Sequence, residues 1–258
     1  MVSGRASSVV DAPRVRQPDE AHMKTTVCLP TYNERENLER MVHALGEHGV
    51  RVLVIDDNSP DGTGAIADRL AAELAWVDVL HRERKEGLGP AYLAGFRRAL
   101  AEGAELVMEM DCDFSHDPAD VPRLIAAAEA GADLALGSRY VHGGGVGNWG
   151  LGRRFISRGG SLYAQILLST RIRDLTGGFK CYRRRVLETI DLDAVHSRGY
   201  AFQIETTYRT LRRGFRVVEV PIRFVDREEG GSKMSRAIVL EAVWKVPLLR
   251  LAALAGRL

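Results

Sequence analysis

The chain has few cysteines, no long apolar run and no glycine fingerprint at its first turn, and each absence excludes a class. Its three cysteines, Cys28, Cys112 and Cys181, are scattered, odd in number and without a Cys-x-x-Cys pair. That argues against a disulfide scaffold and against a zinc ribbon. No apolar run reaches the roughly 18–20 residues that span a bilayer. The most apolar stretch, 237–258, is interrupted by Glu241, Lys245, Pro247 and Arg250. Residues 1–22 are rich in Ser, Pro, Arg and Asp and have no apolar h-region, so they are expected to form a disordered leader rather than a signal peptide. A cytoplasmic protein follows as the expectation. A dinucleotide fold needs Gly-x-Gly-x-x-Gly after its first strand, but Leu29-Pro30-Thr31-Tyr32-Asn33-Glu34 stands there. Gly230-Gly231-Ser232-Lys233 lacks the first half of a Walker sequence. A nicotinamide oxidoreductase and a P-loop ATPase are thereby set aside. The net charge is only +2, so no global field marks a nucleic-acid binder.

What is present is ordinary in amount and uneven in distribution. The 258 residues suit one large domain or two small ones. With 45% hydrophobic and 27% charged residues, the chain reads as globular rather than disordered, collagenous or coiled-coil. Between Arg139 and Arg185 there are ten basic residues (Arg139, Arg153, Arg154, Arg158, Arg171, Arg173, Lys180, Arg183, Arg184, Arg185) and one acid, Asp174. One segment is thus prepared for an anion while the remainder is acidic.

The apolar pattern predicts short buried strands at 25–29, 50–55, 77–80, 106–110 and 132–136. Helices of 10–15 residues lie between them, the first carrying Leu38, Met41, Val42 and Leu45 at helical spacing. Asn33 and Glu36 have the spacing of a capping box. Such alternation means βαβ units and a mostly parallel sheet flanked by helices, an α/β, Rossmann-like fold. Further on, 143–148 reads as a flexible glycine loop, 153–168 as a basic helix, 180–182 and 215–220 as strands, and 201–211 as a helix. In parallel sheets ligands sit beyond the carboxyl ends of the strands. Three such ends carry Pro30-Thr31-Tyr32-Asn33-Glu34, Asp56-Asp57 and Asp111-Cys112-Asp113. Two carboxylates at i and i+2 on a strand end suit Mg²⁺ or Mn²⁺, which prefer hard oxygen ligands and keep positions open for diphosphate oxygens. An Asp-x-Asp also simply ends many strands, and only the convergence of three polar strand ends separates the two readings. Ser115 and His116 stand close enough in sequence to add ligands. Arg183-Arg184-Arg185 reads either as a solvated face or as attraction to anionic headgroups.

Five strings in order resemble one family. Leu29 to Asn37, Ile55 to Thr63, Met110 to His116, Gly137 to Val141, and Asn148-Trp149 are similar to the polyprenol (dolichol) phosphate mannose synthases. These are inverting family 2 glycosyltransferases with a GT-A fold, and the resemblance covers residues 23–235. It implies mannose transfer from GDP-mannose to a polyprenyl monophosphate with Mg²⁺ or Mn²⁺. The same fold also serves UDP-glucose-dependent polyprenyl phosphate glucosyltransferases, which is the alternative reading. Pro30, Tyr32 and Glu34 would hold the guanine nucleoside, with Ile55 and Asp57. Asp111 would lie near the ribose, the Cys112 backbone against the nucleotide, and Asp113 on the metal. Asp111 and Ser115 complete the implied ligand set, although the family often has Gln at the position of Ser115. Arg139, Arg153 and Ser157 match positions that receive the acceptor phosphate, and Arg139, Arg153 and Asp113 would be the catalytic groups. Arg227 and Lys233, on the loop with Gly230 and Gly231, match a lid over the donor diphosphate. Two rival classes are weaker. An Asp-nucleophile phosphatase carries its Asp after the first strand, and a non-catalytic subunit would not need Asp111, Asp113, Arg139 and Arg153.

The expected organisation is therefore a leader at 1–22, a glycosyltransferase domain at 23–235 and a C-terminal amphipathic helix at 236–258. The lipid substrate requires access to a membrane. The segments 153–168 and 238–254 mix large apolar residues with Arg and Lys, so either lies in the interface or packs on the core. The expected location is the cytoplasmic face of the membrane, peripherally bound, with a membrane-protein partner as the other route to the lipid. No nucleic acid is expected.

Overall fold

The computed structural model describes residues 24–147, 150–197, 199–225, 236–256 and 258. It begins with β1 (Thr25–Thr31), α1 (Leu38–Gly46), β2 (Arg51–Asp56), α2 (Thr63–Glu73), β3 (Val77–His81), α3 (Leu88–Ala101) and β4 (Leu106–Glu109). Then follow α4 (Val121–Glu129), β5 (Leu134–Ser138), β6 (Gly145–Val146), α5 (Leu151–Leu168), β7 (Lys180–Arg183) and α6 (Arg184–Thr189). The chain ends in α7 (Gly199–Arg212), β8 (Val217–Pro221), β9 (Arg223–Phe224) and α8 (Arg236–Leu254). Seven strands form one sheet in the order β3-β2-β1-β4-β7-β5-β8, and β6 pairs with β9 beside it. β1, β2, β3 and β4 are mutually parallel, and β5 is parallel to β8. β7 alone runs antiparallel, between β4 and β5. The expectation of a mostly parallel sheet holds.

The apolar spacing explains how the layers close. Leu38, Met41, Val42 and Leu45 of α1 are all fully buried, on a core shared with β1, β2, β4 and α4. The opposite face of the sheet packs Cys28, Leu53, Ile55 and Val107 against Tyr92 and Phe96 of α3 and Phe202 of α7. Gly95 lets α3 approach the sheet, since a Cβ there would stand 2.5 Å from the Ile55 side chain. A third cluster joins Ala164 and Leu168 of α5, Ile204 and Tyr208 of α7, and Val246, Leu249 and Ala253 of α8.

Two local expectations fail for identifiable reasons. The capping box at Asn33 and Glu36 does not form. Asn33 is left-handed at φ 57°, and the helix starts only at Leu38, where Asn37 makes no side-chain cap. The chain first needs a turn out of β1, which Asn33 supplies, and Asn37 instead donates its Nδ2 to Glu34 Oε2 at 3.0 Å. The glycine loop at 143–148 contains a strand. Gly145–Val146 pairs with Arg223–Phe224, because Gly144 permits an approach in which a Cβ would lie 2.5 Å from the Ser138 carbonyl.

The arginine triplet is neither merely solvated nor arranged for headgroups. Arg183 donates through Nη2 to Ala128 O at 2.6 Å and through Nε to Ala132 O at 3.1 Å. Arg184 Nη1 reaches Leu100 O at 2.9 Å and Ala104 O at 3.3 Å. The last carbonyls of a helix lack partners within it and carry partial negative charge. Arg183 thus closes the end of α4 and Arg184 the end of α3, while Arg185 pairs with Asp133 at 2.7 Å. Arg183→Ala is expected to destabilise the fold by about 1.5–3 kcal/mol, the range for hydrogen bonds to a charged group. Arg185, 62% exposed, should cost under about 1 kcal/mol when truncated. Thermal unfolding of both variants checks this, and loss of vesicle binding by either one would return the triplet to a lipid role.

Candidate active site

Three strand ends lie side by side, because β2, β1 and β4 are neighbours in the sheet. Each is followed by a non-glycine residue at positive φ: Asn58, Asn33 and Phe114, all at 57°. For bulky Phe114 this conformation is unusual, and such strain concentrates where a backbone must be aimed at something.

The turn after β2 is largely scaffolding for the turn after β1. Ser59 donates its hydroxyl to Asp56 Oδ1 at 2.6 Å, and Thr63 donates its hydroxyl to Asp61 Oδ1 at 2.6 Å. Backbone N–H groups of the first turn then land on this frame. Asn33 donates to Ser59 Oγ at 3.1 Å, Glu34 to Thr63 Oγ1 at 3.0 Å, and Arg35 to Asp61 Oδ2 at 3.3 Å. Asp56 and Asp61 are thus occupied internally. Asp57 is different: buried, it faces Arg82, whose Nη1 donates to Asp57 Oδ1 at 2.5 Å. Burial raises the Asp57 pKa and Arg82 opposes the rise. Nearby, Lys85 sets its ammonium 3.8 Å above the ring of Tyr32. Glu34 is buried, and Pro30 pairs with Ile55 one residue before the paired part of β1 ends at Thr31, opposite Asp56. The Ile55 side chain packs in the core with Cys28 and Leu53, so only its backbone is available to a ligand.

At the end of β4 the side chains alternate. Asp111 accepts a hydrogen bond from the buried Tyr92 hydroxyl at 3.3 Å. Cys112 turns inward, joining the α1–α4 core, so the sequence-based role of its backbone is compatible with its burial. Asp113 is buried and its Oδ1 accepts the Ser115 N–H at 3.0 Å. Ser115 in turn accepts the Val225 N–H on its carbonyl at 3.2 Å. His116 is sandwiched between Phe179 and Phe224, with ring centroids 5.1 and 5.2 Å away. Burial lowers its pKa to about 4, and its Nδ1 has no hydrogen-bond partner among the described residues.

Among the described residues no group of three or more His, Cys, Asp and Glu side chains converges to hold a metal. Asp111 and Asp113 do offer two hard carboxylate donors at the β4 end, the donor type that Mg²⁺ and Mn²⁺ take. Mg²⁺ in phosphate-handling sites is typically held by one or two carboxylates, completed by substrate phosphates and water.

Below the Asp111 end lies a buried polar knot that the sequence did not announce. Lys180 Nζ donates to Gln203 O at 3.0 Å and Thr206 Oγ1 at 3.1 Å, and it stands 4.0 Å from Glu109 Oε2. The Tyr182 hydroxyl donates to Glu109 Oε1 at 2.9 Å. Burial lowers the Lys180 pKa to about 8. This knot ties β4 to α7 directly under the strand end that presents Asp111.

Arg139 sits at the end of β5 and is buried. Its Nε donates to Asp174 Oδ2 at 2.7 Å, and its Nη2 to Asp174 Oδ1 at 2.6 Å and to Thr176 Oγ1 at 2.8 Å. The next residue, Tyr140, donates its hydroxyl to Ser157 Oγ at 2.7 Å. Arg139 and Ser157, paired in the sequence reading, are therefore brought together through Tyr140. Arg153 belongs to the first turn of α5, with its side chain outside the described residues. Arg227 and Lys233 also lie outside the described residues. Arg82, Lys85, Tyr92 and Asp174 were missed. The first two sit in Arg82-Glu83-Arg84-Lys85-Glu86, which reads as a solvated loop, and Asp174 carries no signal beyond being the one acid in a basic stretch.

Comparison with known proteins adds the following. The profile described as "Glycosyl transferase family 2" matches residues 26–191. The chain is 53% identical over 228 residues to the polyprenol monophosphomannose synthase of Mycolicibacterium smegmatis, covering 86% of this chain and 85% of that one. It is 51% identical over 235 residues to the undecaprenyl-phosphate mannosyltransferase of Micrococcus luteus, covering 90% and 96%. A solved mannosyltransferase of Pyrobaculum calidifontis, in complex with GDP-Man and Mn²⁺, superposes with a TM-score of 0.55 at 16% identity, over 93% of this chain and 76% of that one. Staphylococcus aureus TarS in complex with UDP-GlcNAc gives 0.57 at 19% identity, over 91% and 71%. These two likenesses speak to the fold alone.

Proposed function

The chain belongs to glycosyl transferase family 2 and has the GT-A fold, and from that premise we propose that it moves mannose from GDP-mannose to a polyprenyl monophosphate. The product is polyprenyl phosphate mannose, formed with inversion at the anomeric carbon. The observation that carries this reading is identity above one half, over most of both chains, with two polyprenyl phosphate mannosyltransferases. The clustered ends of β1, β2 and β4 support it.

The chemistry is a single displacement. An acceptor phosphate oxygen attacks C1 of mannose, and the bond from C1 to the β-phosphate oxygen breaks, releasing GDP. A phosphate monoester has a second pKa near about 6, so it is already largely a dianion at pH 7 and needs no general base. The protein must instead hold two anions in line. Tyr32, Glu34 and Asp57 with the Pro30 and Ile55 backbones receive the nucleoside. Asp111 and the Cys112 backbone lie along the ribose and diphosphate. We assign Arg139, Arg153 and Ser157 to the acceptor phosphate, and Arg227 and Lys233 to the donor diphosphate. Asp113, with Asp111 and Ser115, would hold a divalent cation, Mg²⁺ or Mn²⁺, which would supply charge neutralisation for the leaving group. A panel of GDP-mannose, UDP-glucose and UDP-GlcNAc with a polyprenyl phosphate tests the reading. Transfer from GDP-mannose above the others is expected, and preference for UDP-glucose would overturn the sugar assignment.

The lipid acceptor brings the protein to a membrane, and we place it there peripherally, on the cytoplasmic face. Among the described residues no helix is long and apolar enough to cross a bilayer. α8 is apolar on two faces. Val246, Leu249 and Ala253 are buried, whereas Trp244, Leu248, Leu251 and Leu254 are exposed, Trp244 by 74%. On α5, tied to α8 by the Tyr163 hydroxyl on Val243 O at 2.8 Å, Ile166 is 69% exposed. Exposed large apolar side chains on two packed helices suit an interfacial helix pair. Trp244→Asp is expected to abolish sedimentation with anionic vesicles and to leave GDP affinity intact. Retained vesicle binding with lost transfer would point instead to a membrane-protein partner on this face.

A further inference from the structure

The connection between β3 and α3 reaches back over the end of β2, and its first residue touches the nucleotide site. Arg82 is held at three points. Its backbone N–H donates to Asp56 O at 2.8 Å, Nη1 to Asp57 Oδ1 at 2.5 Å, and Nη2 to Glu86 Oε2 at 2.7 Å. The Arg82 side chain is 12% exposed and that of Asp57 7%. The pair is therefore largely withdrawn from water, and a charge-assisted bond of this length is among the stronger kinds. Asp57 is also fixed from β1, since its own N–H donates to Thr31 O at 3.1 Å.

We propose that Arg82 is a specificity-determining positioning residue, holding Asp57 ionised and oriented as the acceptor for a nucleobase that presents two adjacent N–H donors. This rests on the reading of Asp57 as part of the nucleoside site. An ionised carboxylate is acceptor-only and can receive two donors side by side, whereas a protonated one must offer a donor itself. Guanine presents its ring N–H and its exocyclic amino group on one edge. Uracil presents one N–H flanked by two carbonyls, so a fixed carboxylate gains one bond and faces an acceptor with its other oxygen. Leaving a buried polar group mismatched is what makes such sites discriminate.

The groups facing Asp57 are Arg82, with Glu86 behind it, and Asp56 on its own strand. Burial and Asp56 favour the protonated acid, while Arg82 and the Glu86 backbone N–H favour the carboxylate. Without the guanidinium the carboxyl binds its proton at higher pH. Binding that needs the carboxylate is complete above that pKa and lost as the pH falls through it.

The test is calorimetric titration of GDP, IDP and UDP with Mg²⁺ into the wild-type protein, Arg82→Met, Arg82→Lys and Asp57→Asn across pH 5–8. Arg82→Met is expected to lose about tenfold or more in GDP affinity, the scale of a hydrogen bond to a charged group. UDP affinity should barely change, so the GDP-to-UDP ratio narrows. The loss of GDP binding on acidification should begin at higher pH than in wild type, and Arg82→Lys should restore part of both effects. IDP, lacking the exocyclic amino group, should be least sensitive to the substitution among the purines. An unchanged GDP-to-UDP ratio and pH profile in Arg82→Met, with Asp57→Asn impaired, would overturn the role of Arg82 and leave the nucleoside reading of Asp57 standing. Full GDP affinity in Asp57→Asn would overturn both.

Discussion

Asp113→Asn is expected to lower mannosyl transfer by about 10²–10³-fold, the loss seen when one preorganised electrostatic group is removed from a transition state. The fold should survive. Asp113 Oδ1 accepts the Ser115 N–H at 3.0 Å, and the carbonyl oxygen of Asn accepts it equally well. What disappears is the negative charge at a buried position next to the β4 end, where the low dielectric makes each charge count for more than in water. Mg²⁺ or Mn²⁺ is expected to tighten GDP binding in the wild type, and the variant should lose that tightening. That second measurement separates a lost cation clamp from a displaced Phe114 turn, which would weaken nucleotide binding with and without the cation. Near-normal turnover in folded Asp113→Asn would remove Asp113 from the chemistry.

Position in the sheet was legible in the sequence because periodicity and strand-end composition are local signals. β1, β2 and β4 and their polar ends follow from runs such as Val52-Leu53-Val54-Ile55, ended by Asp56-Asp57. Which acid does which task was not legible. Asp56, Asp57 and Asp61 look alike in the string, and only the folded turn assigns Asp56 to Ser59, Asp61 to Thr63, and Asp57 to Arg82. The positive count between 139 and 185 misled for a similar reason. Lys180, Arg183 and Arg184 spend their charge on Gln203, on helix-end carbonyls and on neighbouring acids. An arginine that caps a helix thirty or more residues away leaves no local trace. The failed capping box belongs to the same class, because Asn33 was needed for the turn that carries the chain out of β1.

Arg139→Ala is expected to lower stability by about 3–5 kcal/mol, the cost of leaving one member of a buried ion pair unpaired. For a chain of this length that is a drop of about 10 °C in the thermal midpoint. The orphaned group would be Asp174, whose side chain has no exposure and which now accepts the Arg139 backbone N–H, Nε and Nη2. Loss of transfer in this variant alone would therefore say little about the acceptor phosphate. The double variant Arg139→Met with Asp174→Asn removes both charges and keeps an amide oxygen for the Arg139 backbone N–H. Replacing a buried pair with neutral groups is often close to neutral in stability, so the midpoint should recover by at least half. Transfer should not recover with it if the proposed assignment holds, because Arg139 is adjacent to Tyr140, which holds Ser157, and in that assignment the guanidinium is the positive charge offered to the acceptor phosphate. GDP-mannose affinity should stay at the wild-type value in the double variant. Recovery of transfer in parallel with the midpoint would make Arg139 a scaffold residue and shift the acceptor phosphate onto Arg153 and Ser157 alone.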